Sequence, residues 1–333
     1  MSYIIDNIRN IDIDQWDELV RNSPTASFFA THECYQFYSE LSFLTPFVFG
    51  VTENNRLLAV ICGYCIADGN SIKKYFSRRA IIPGGILLDA QISEKALSDL
   101  LEYTTNALKN KAIYIEIRNY RDFSSYKSVI ESAKFSYLPH LNFHVPTLDT
   151  ESAIMQLNTT KRRDVRLSRK EGADWIETTA TEDIKSYYAI LSELYSKKIK
   201  TPLFPYEFFE KIVKLPNATL LVIKHRNELI GGSVCVKLPG KCVYEWFVCG
   251  LDGRFKNIFP STLATWAGIE YAATHGFAYF DMMGAGKPQD NYGVREFKSK
   301  FGGVSVEYGR FLYICNPFFY SVGKKVIEFL KSK

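Results

Sequence analysis

Phe280-Asp281-Met282-Met283-Gly284-Ala285-Gly286, followed by Tyr292-Gly293-Val294-Arg295-Glu296-Phe297-Lys298-Ser299-Lys300-Phe301-Gly302-Gly303, decides how the rest of this chain is read. The first part is an apolar strand that ends in an aspartate and a glycine-rich turn. The second is a basic, aromatic segment leading into another strand. Mobile backbone, a carboxylate and several cations then meet where a sheet ends, which is where α/β proteins usually bind ligands.

Outward from that stretch, one order of elements occurs twice. In the second half, Ala218–His225 and Leu229–Leu238 flank the turn Arg226-Asn227-Glu228. Lys241–Cys249 follows as a strand, Ser261–His275 has helical spacing with Gly276 as its stop, and Phe277–Met282 is the next strand. In the first half, Pro46–Thr52 and Leu57–Ala67 flank Glu53-Asn54-Asn55-Arg56, and Ser71–Ser77 and Ile81–Leu88 read as further strands. A helix over Ser93–Asn110, capped by Ser93, leads to the β-rich Ala112–Arg118. Helices over Asp14–Asn22 and Thr31–Leu41 precede the first set; Thr150–Gly172 and Glu182–Ile199 precede the second. The expected fold class is α/β (α+β), a mixed sheet with helices on its faces in each half. The natural boundary lies near Pro146–Thr150, giving domains 1–148 and 149–333.

The 333 residues suffice for about two domains. A content of 47% hydrophobic and 15% aromatic residues fills two cores, and 23% charged residues marks a globular chain, not a disordered one. The net charge of +5 is too small for a dedicated nucleic-acid binder and mildly favours anionic ligands. No apolar run approaches the roughly 18 residues of a membrane span, and the N-terminus has no basic, apolar leader; a cytoplasmic location is expected. Seven scattered cysteines fit that compartment. Cys62-Gly63-Tyr64-Cys65 lies inside a strand, so its two thiols point to opposite faces and make neither a zinc site nor a redox pair. His32, His140, His144, His225 and His275 show no metal-ligand spacing, and no metal is expected.

The opening stretch resembles the "fDlgG … yglyrFKrkFGg" ending of the FemAB-type peptidoglycan aminoacyltransferases, a branch of the GNAT superfamily; Phe297, Lys298, Phe301 and Gly302 match it. Trp16…Ser23-Pro24-Thr25-Ala26-Ser27-Phe28-Phe29 is similar to the family's opening, and the run Lys161–Gly172 is similar to its "kwRrnirkaekkGv" helix. The resemblance implies two tandem GNAT-like domains and transfer of an acyl or aminoacyl group onto an amine of a cell-envelope precursor, peptidoglycan or surface polysaccharide. The donor it implies is aminoacyl-tRNA or acyl-CoA, with no tightly bound cofactor, and the acceptor is an amine-bearing precursor, diphosphate-linked in some cases and reached by peripheral contact with the membrane. Two departures leave the donor open. The long two-helix arm of tRNA-dependent members is absent, since only Ala173–Thr181 separates the basic helix from the next. The glycine-rich turn of CoA-binding members is also missing from Arg254–Ser261.

Lys298 and Asp281 are the expected catalytic residues. Acyl transfer builds negative charge on the carbonyl oxygen, which a fixed ammonium stabilises, and Asp281 can hold the acceptor amine or orient Lys298. Arg295 and Lys300 add cations for a donor's phosphates, beside Tyr292, and Gly284 and Gly286 allow backbone N–H groups close to an anion. Tyr244, Glu245 and Trp246 lie on the strand expected to border the acyl cleft. Alternation puts Tyr244 and Trp246 on one face and Glu245 and Phe247 on the other, and a buried Glu245 can act as a base. Arg163 and Arg166 belong to a basic helix on which Arg162, Arg166 and Arg169 share a face. Each group also has a plain structural reading: a solvated basic turn, an aspartate accepting from turn N–H groups, a solvated helix face. A non-catalytic binding protein and an acyl-CoA-dependent N-acetyltransferase acting on a small amine or amino sugar remain rivals to the FemAB-like transferase.

Overall fold

The computed structural model describes residues 2–69, 71–290 and 292–331. β1 (Ser2–Ile5), α1 (Ile13–Asn22) and α2 (His32–Ser39) precede a hairpin of β2 (Thr45–Glu53) and β3 (Arg56–Ile66). Its two turn residues, Asn54 and Asn55, both take left-handed backbone, with φ of 50° and 63°, the twist that matches a tight antiparallel turn. The chain continues through α3 (Ser71–Ser77), β4 (Arg79–Gly84), β5 (Leu87–Leu88), α4 (Glu94–Leu108), β6 (Tyr114–Asn119), α5 (Lys127–Ser132) and β7 (Ser136–Leu138). Next come β8 (Leu141–Pro146), α6 (Thr150–Gln156), α7 (Thr159–Lys170), β9 (Ala173–Glu177), α8 (Thr181–Leu194) and α9 (Tyr206–Ile212). A second hairpin, β10 (Ala218–His225) and β11 (Glu228–Leu238), turns on Arg226 and Asn227 with φ of 47° and 65°. β12 (Cys242–Gly250), α10 (Pro260–Thr274), β13 (Tyr279–Gly284), α11 (Gly293–Ser299), β14 (Val304–Glu307), β15 (Arg310–Ile314) and α12 (Pro317–Lys331) complete the order.

Two expected elements differ. Ser71–Ser77 is a helix, not a strand; Tyr75 and Phe76 pack edge-to-face on Phe319 of α12, and that tertiary contact outweighs local β preference. The helix expected over Thr150–Gly172 is two, because the Asn158 side chain accepts from the Lys161 N–H at 2.8 Å and starts α7 afresh.

Each sheet repeats one plan. The first runs β1-β2-β3-β4-β6-β15-β7, with β5 beside β3; the second runs β14-β8-β13-β12-β11-β10-β9. In each, an antiparallel run meets one parallel pair, β4 with β6 and β12 with β13, joined through α4 and α10. α10 is buried over nearly all its length, with Trp266 and Ala267 in the core of the second unit. Gly268 makes this packing possible: a Cβ there would meet the Phe280 ring at 2.5 Å.

The units differ from the division at 148/149. Met1–Pro139 with Tyr308–Lys333 forms one, and His140–Glu307 the other. β8, which follows β7 in the chain, inserts between β13 and β14, whereas β15, from the far end, inserts between β6 and β7. The repeats therefore exchange one strand each. The pairing partners lie more than a hundred residues apart, as in Asp281↔His144, so no local pattern marks them.

Candidate active site

The two parallel pairs part at different points. β4 and β6 stay in register over six residue pairs, from Arg79↔Tyr114 to Gly84↔Asn119. β12 and β13 pair only at Cys242↔Tyr279, Val243↔Phe280 and Tyr244↔Asp281, although β12 runs on to Gly250. Two bulges force the separation. On β12, Val234↔Phe247 and Cys235↔Glu245 leave Trp246 as the extra residue. On β13, the pairing with β8 skips Met282 and Met283, and Met283 takes a φ of 56°. Beyond Tyr244 and Asp281, β12 and β13 of the second unit therefore no longer pair with each other.

Asp281 stands at this fork, in the last pair that β13 makes with β12. Fully buried, it accepts from the Met283 N–H through Oδ1 at 2.6 Å, which pins the bulge, while Oδ2 lies 3.2 Å from His144 Nε2. The His144 ring stacks on Tyr279, centroids 4.5 Å apart. The bulge turns the carbonyls of Met282 and Gly284 toward Lys298, whose Nζ donates to both, to Gly284 O at 3.0 Å. Lys298 is buried and not part of a solvated basic turn, because α11 lays its last turn onto the end of β13. Burial pushes its ammonium below the usual lysine range, and the nearby Glu245 and Asp281 carboxylates offset part of that.

Glu245, on β12, is the counter-charge across the gap. Burial raises its carboxyl, and Lys298 and then the Thr265 hydroxyl of α10 pull it back. Its Oε1 reaches no hydrogen-bond partner. Lys298 thus sits where the strands part, bonded to β13 and felt by β12.

The other expected residues fall into three groups. Tyr244 is buried in the core. Trp246 does not share a face with Tyr244 by simple alternation: the bulge turns it, like Phe247, onto Phe208, at 5.0 and 5.6 Å between centroids. The turn Gly284–Gly286 is stitched to β8 by Ala285 N–H to Leu141 O at 2.6 Å and Leu141 N–H to Gly286 O at 2.9 Å, so those backbone groups are already engaged. Gly286 has a φ of 79°, and a Cβ there would meet the Tyr292 ring at 2.8 Å. Arg295, expected as a phosphate cation, donates to the carbonyls of Ala285 (3.0 Å), Lys287 and Pro288 (3.1 Å) and holds that loop. Lys300 is half-buried and pairs with Glu296 at 2.7 Å.

α7 presents a basic groove of about 370 Å³ lined by Thr159, Arg162, Arg163, Arg166, Leu167 and Lys170. Arg163 and Arg166 are exposed as expected, and Arg163 pairs with Asp164 at 3.0 Å. Arg169 does not join them. It turns inward to Glu270, at 2.5 Å, which also accepts from Trp175 Nε1. Lys161, in the first turn, is buried against Thr262 Oγ1 at 2.6 Å and lies over the Phe297 ring at 4.1 Å.

Three residues of the site carry no local signal for it in the sequence: His144, Thr265 and Tyr195. Tyr195 ends α8, and its phenol is pushed up to about 12 by burial, with Tyr292 and Cys249 adding to it. Its ring lies 6.4 Å from that of Phe247 on β12, centroid to centroid. The Ser261 N–H at the start of α10 is taken by Asp252 Oδ1 at 3.0 Å, and the Phe259 N–H by Ser168 Oγ at 3.0 Å. Among the described residues, no His/Cys/Asp/Glu group is placed to hold a metal ion, and no helix is long and apolar enough to cross a membrane.

A family model described as acetyltransferase (GNAT) domain matches residues 156–299. No curated protein matches the sequence. Solved structures with a similar fold include FemX, 14% identical over 96% of this chain and 99% of that one, with a TM-score of 0.72. A tandem GNAT protein from the clavulanic acid biosynthesis pathway is 12% identical over 95% and 99%, TM-score 0.57. L-PGS from Bacillus licheniformis is 13% identical over 94% and 96%, TM-score 0.56. The expected tandem GNAT fold is thus the fold of this chain.

Proposed function

We propose, from the GNAT match over residues 156–299 and the FemX-like fold, that it moves an aminoacyl group onto an amine of a cytoplasmic cell-envelope precursor, of peptidoglycan or of a surface polysaccharide. The parting of β12 and β13 beyond Tyr244 and Asp281, with a buried ammonium at the fork, carries this reading. β12 is extended and unpaired with β13 there, so that edge can bind an acyl-amide backbone as another strand would. A neutral acceptor amine attacks the ester carbonyl carbon; the C–N bond forms, the C–O bond to the donor breaks, and the amine proton passes through solvent to the leaving oxygen. Negative charge grows on the carbonyl oxygen in between. The Lys298 ammonium spends two N–H groups on Met282 and Gly284, and its third is available to that oxygen. Asp281 positions: it holds the bulge that aims those two carbonyls.

Two observations favour aminoacyl-tRNA over acyl-CoA. The Asp252 carboxylate on the first turn of α10 repels a diphosphate where a helix N-terminus would otherwise attract one. The α7 groove instead offers Arg163, Arg166 and Lys170 to a run of phosphates. The test is transfer by the purified protein from aminoacyl-tRNA or acetyl-CoA onto UDP-linked muropeptides and amino sugars, read by mass spectrometry. One added aminoacyl group, lost in Lys298→Met, is the expected result; transfer from acetyl-CoA alone overturns the donor, and no transfer from either overturns the reading.

A further inference from the structure

The first unit carries a surface that the transfer chemistry does not use. α3 meets the start of α12 there. Phe319 packs edge-to-face on Tyr75 at 5.6 Å and on Phe76 at 5.2 Å, and Phe318 lies 5.5 Å from Phe319. Three of these four touching rings face outward: Phe318 is 71% exposed, Tyr75 48% and Phe76 41%. Val322, one helical turn beyond Phe318, is exposed as well. A single exposed aromatic needs no explanation, but a joined set does.

Cations frame the rings. The Arg78 guanidinium lies 4.2 Å from the Tyr75 ring centroid, and Lys74 of α3 and Lys324 of α12 are exposed. The chain holds 36 acidic residues, yet neither 71–79 nor 314–324 contains one. We propose that this α3–α12 face docks on an anionic bilayer surface, with the rings at headgroup depth and the cations against lipid phosphates. Aromatic rings with one apolar body suit that depth, and basic side chains beside them are drawn to anionic lipid. The charge decides against a second copy of the chain, since two such faces would bring like charges together.

Flotation of the full chain with vesicles of phosphatidylcholine, alone or mixed with phosphatidylglycerol, tests the assignment. The wild type is expected to float with the mixed vesicles only, and less so as salt rises. Phe318→Ser and Lys74→Glu should each lower the bound fraction at least about fivefold, with transfer onto a water-soluble acceptor unchanged. Should Phe318→Ser fail to fold, Lys74→Glu reads the charge alone. Absence of wild-type flotation, equal flotation with phosphatidylcholine alone, or a solution dimer that Phe318→Ser disperses without any vesicle binding overturns it.

Discussion

Removing the Lys298 ammonium strands two acceptors, the carbonyls of Met282 and Gly284, and takes away the positive charge felt by the buried Glu245 carboxyl. Breaking a buried charged interaction by taking one partner costs about 3–5 kcal/mol. Lys298→Ala should therefore lower the melting temperature as well as turnover, by roughly 2–4 °C for each kcal/mol of destabilisation. That differs from what an exposed lysine would do, and differential scanning calorimetry decides it; an unchanged melting temperature would show that Nζ does not hold the β13 end. The double variant Lys298→Met/Glu245→Gln removes both charges together and should recover much of the stability without recovering turnover.

Glu245 gives this site a pH signature. Burial raises its folded pKa above the unfolded value, so the folded state keeps a proton that the unfolded chain gives up. The stability this contributes is fully present below the unfolded pKa of about 4.3 and is lost as pH rises through the folded value. Urea unfolding of wild type and Glu245→Gln should accordingly diverge above about pH 4.3, the wild type losing ground to the variant. Parallel profiles would mean that Glu245 ionises in the fold as it does in water.

Among the helices, α7 separates into two faces that composition alone does not distinguish. Arg163, Arg166 and Lys170 look outward, whereas Arg169 is bound to Glu270 and Lys161 to Thr262. Changing the outward three to glutamine should leave stability within about 0.5 kcal/mol. It should also flatten the salt dependence of binding to a phosphate-rich donor, by roughly 0.7–0.9 in log–log slope for each phosphate no longer neutralised. Arg169→Gln should do the reverse, costing about 1–3 kcal/mol with the salt slope intact. Filter binding across a salt series, paired with thermal melts, checks both. If the outward variants bind as the wild type does at every salt concentration, the groove is only a solvated face.

Over the full length of the chain, the exchanged strands decide what can fold alone. A fragment of residues 149–333 lacks β8, the strand between β13 and β14, and carries β15 without its neighbours β6 and β7. Open sheet edges of that kind pair with other chains. The fragment His140–Glu307 keeps its sheet whole. Expressed side by side, His140–Glu307 should be monomeric with dispersed amide resonances, and 149–333 should aggregate. Equal behaviour of the two would deny β8 its structural part.

Elements whose signals are local are legible in the order of amino acids. Ser93 as a cap, the Asn54-Asn55 and Arg226-Asn227 turns and the apolar runs of β10 to β13 act over a few residues, so their reading needs no partner. The same holds for the tandem GNAT plan, carried by repeated order and by the Phe297-Lys298 match. Whatever depends on which distant segment lies alongside emerges only in the fold. Ser71–Ser77 is a helix through contact with Phe319, more than two hundred residues away. Lys298 is a buried ammonium, and charge in a sequence carries no record of depth. The fork between β12 and β13 arises from two bulges set by pairing with β11 and β8, and bulges shift register without changing a residue. The unit boundary falls after Pro139 and not at 148 for the same reason. β8 is an ordinary strand to local physics, and only its pairing with β13 and β14 shows to which sheet it belongs.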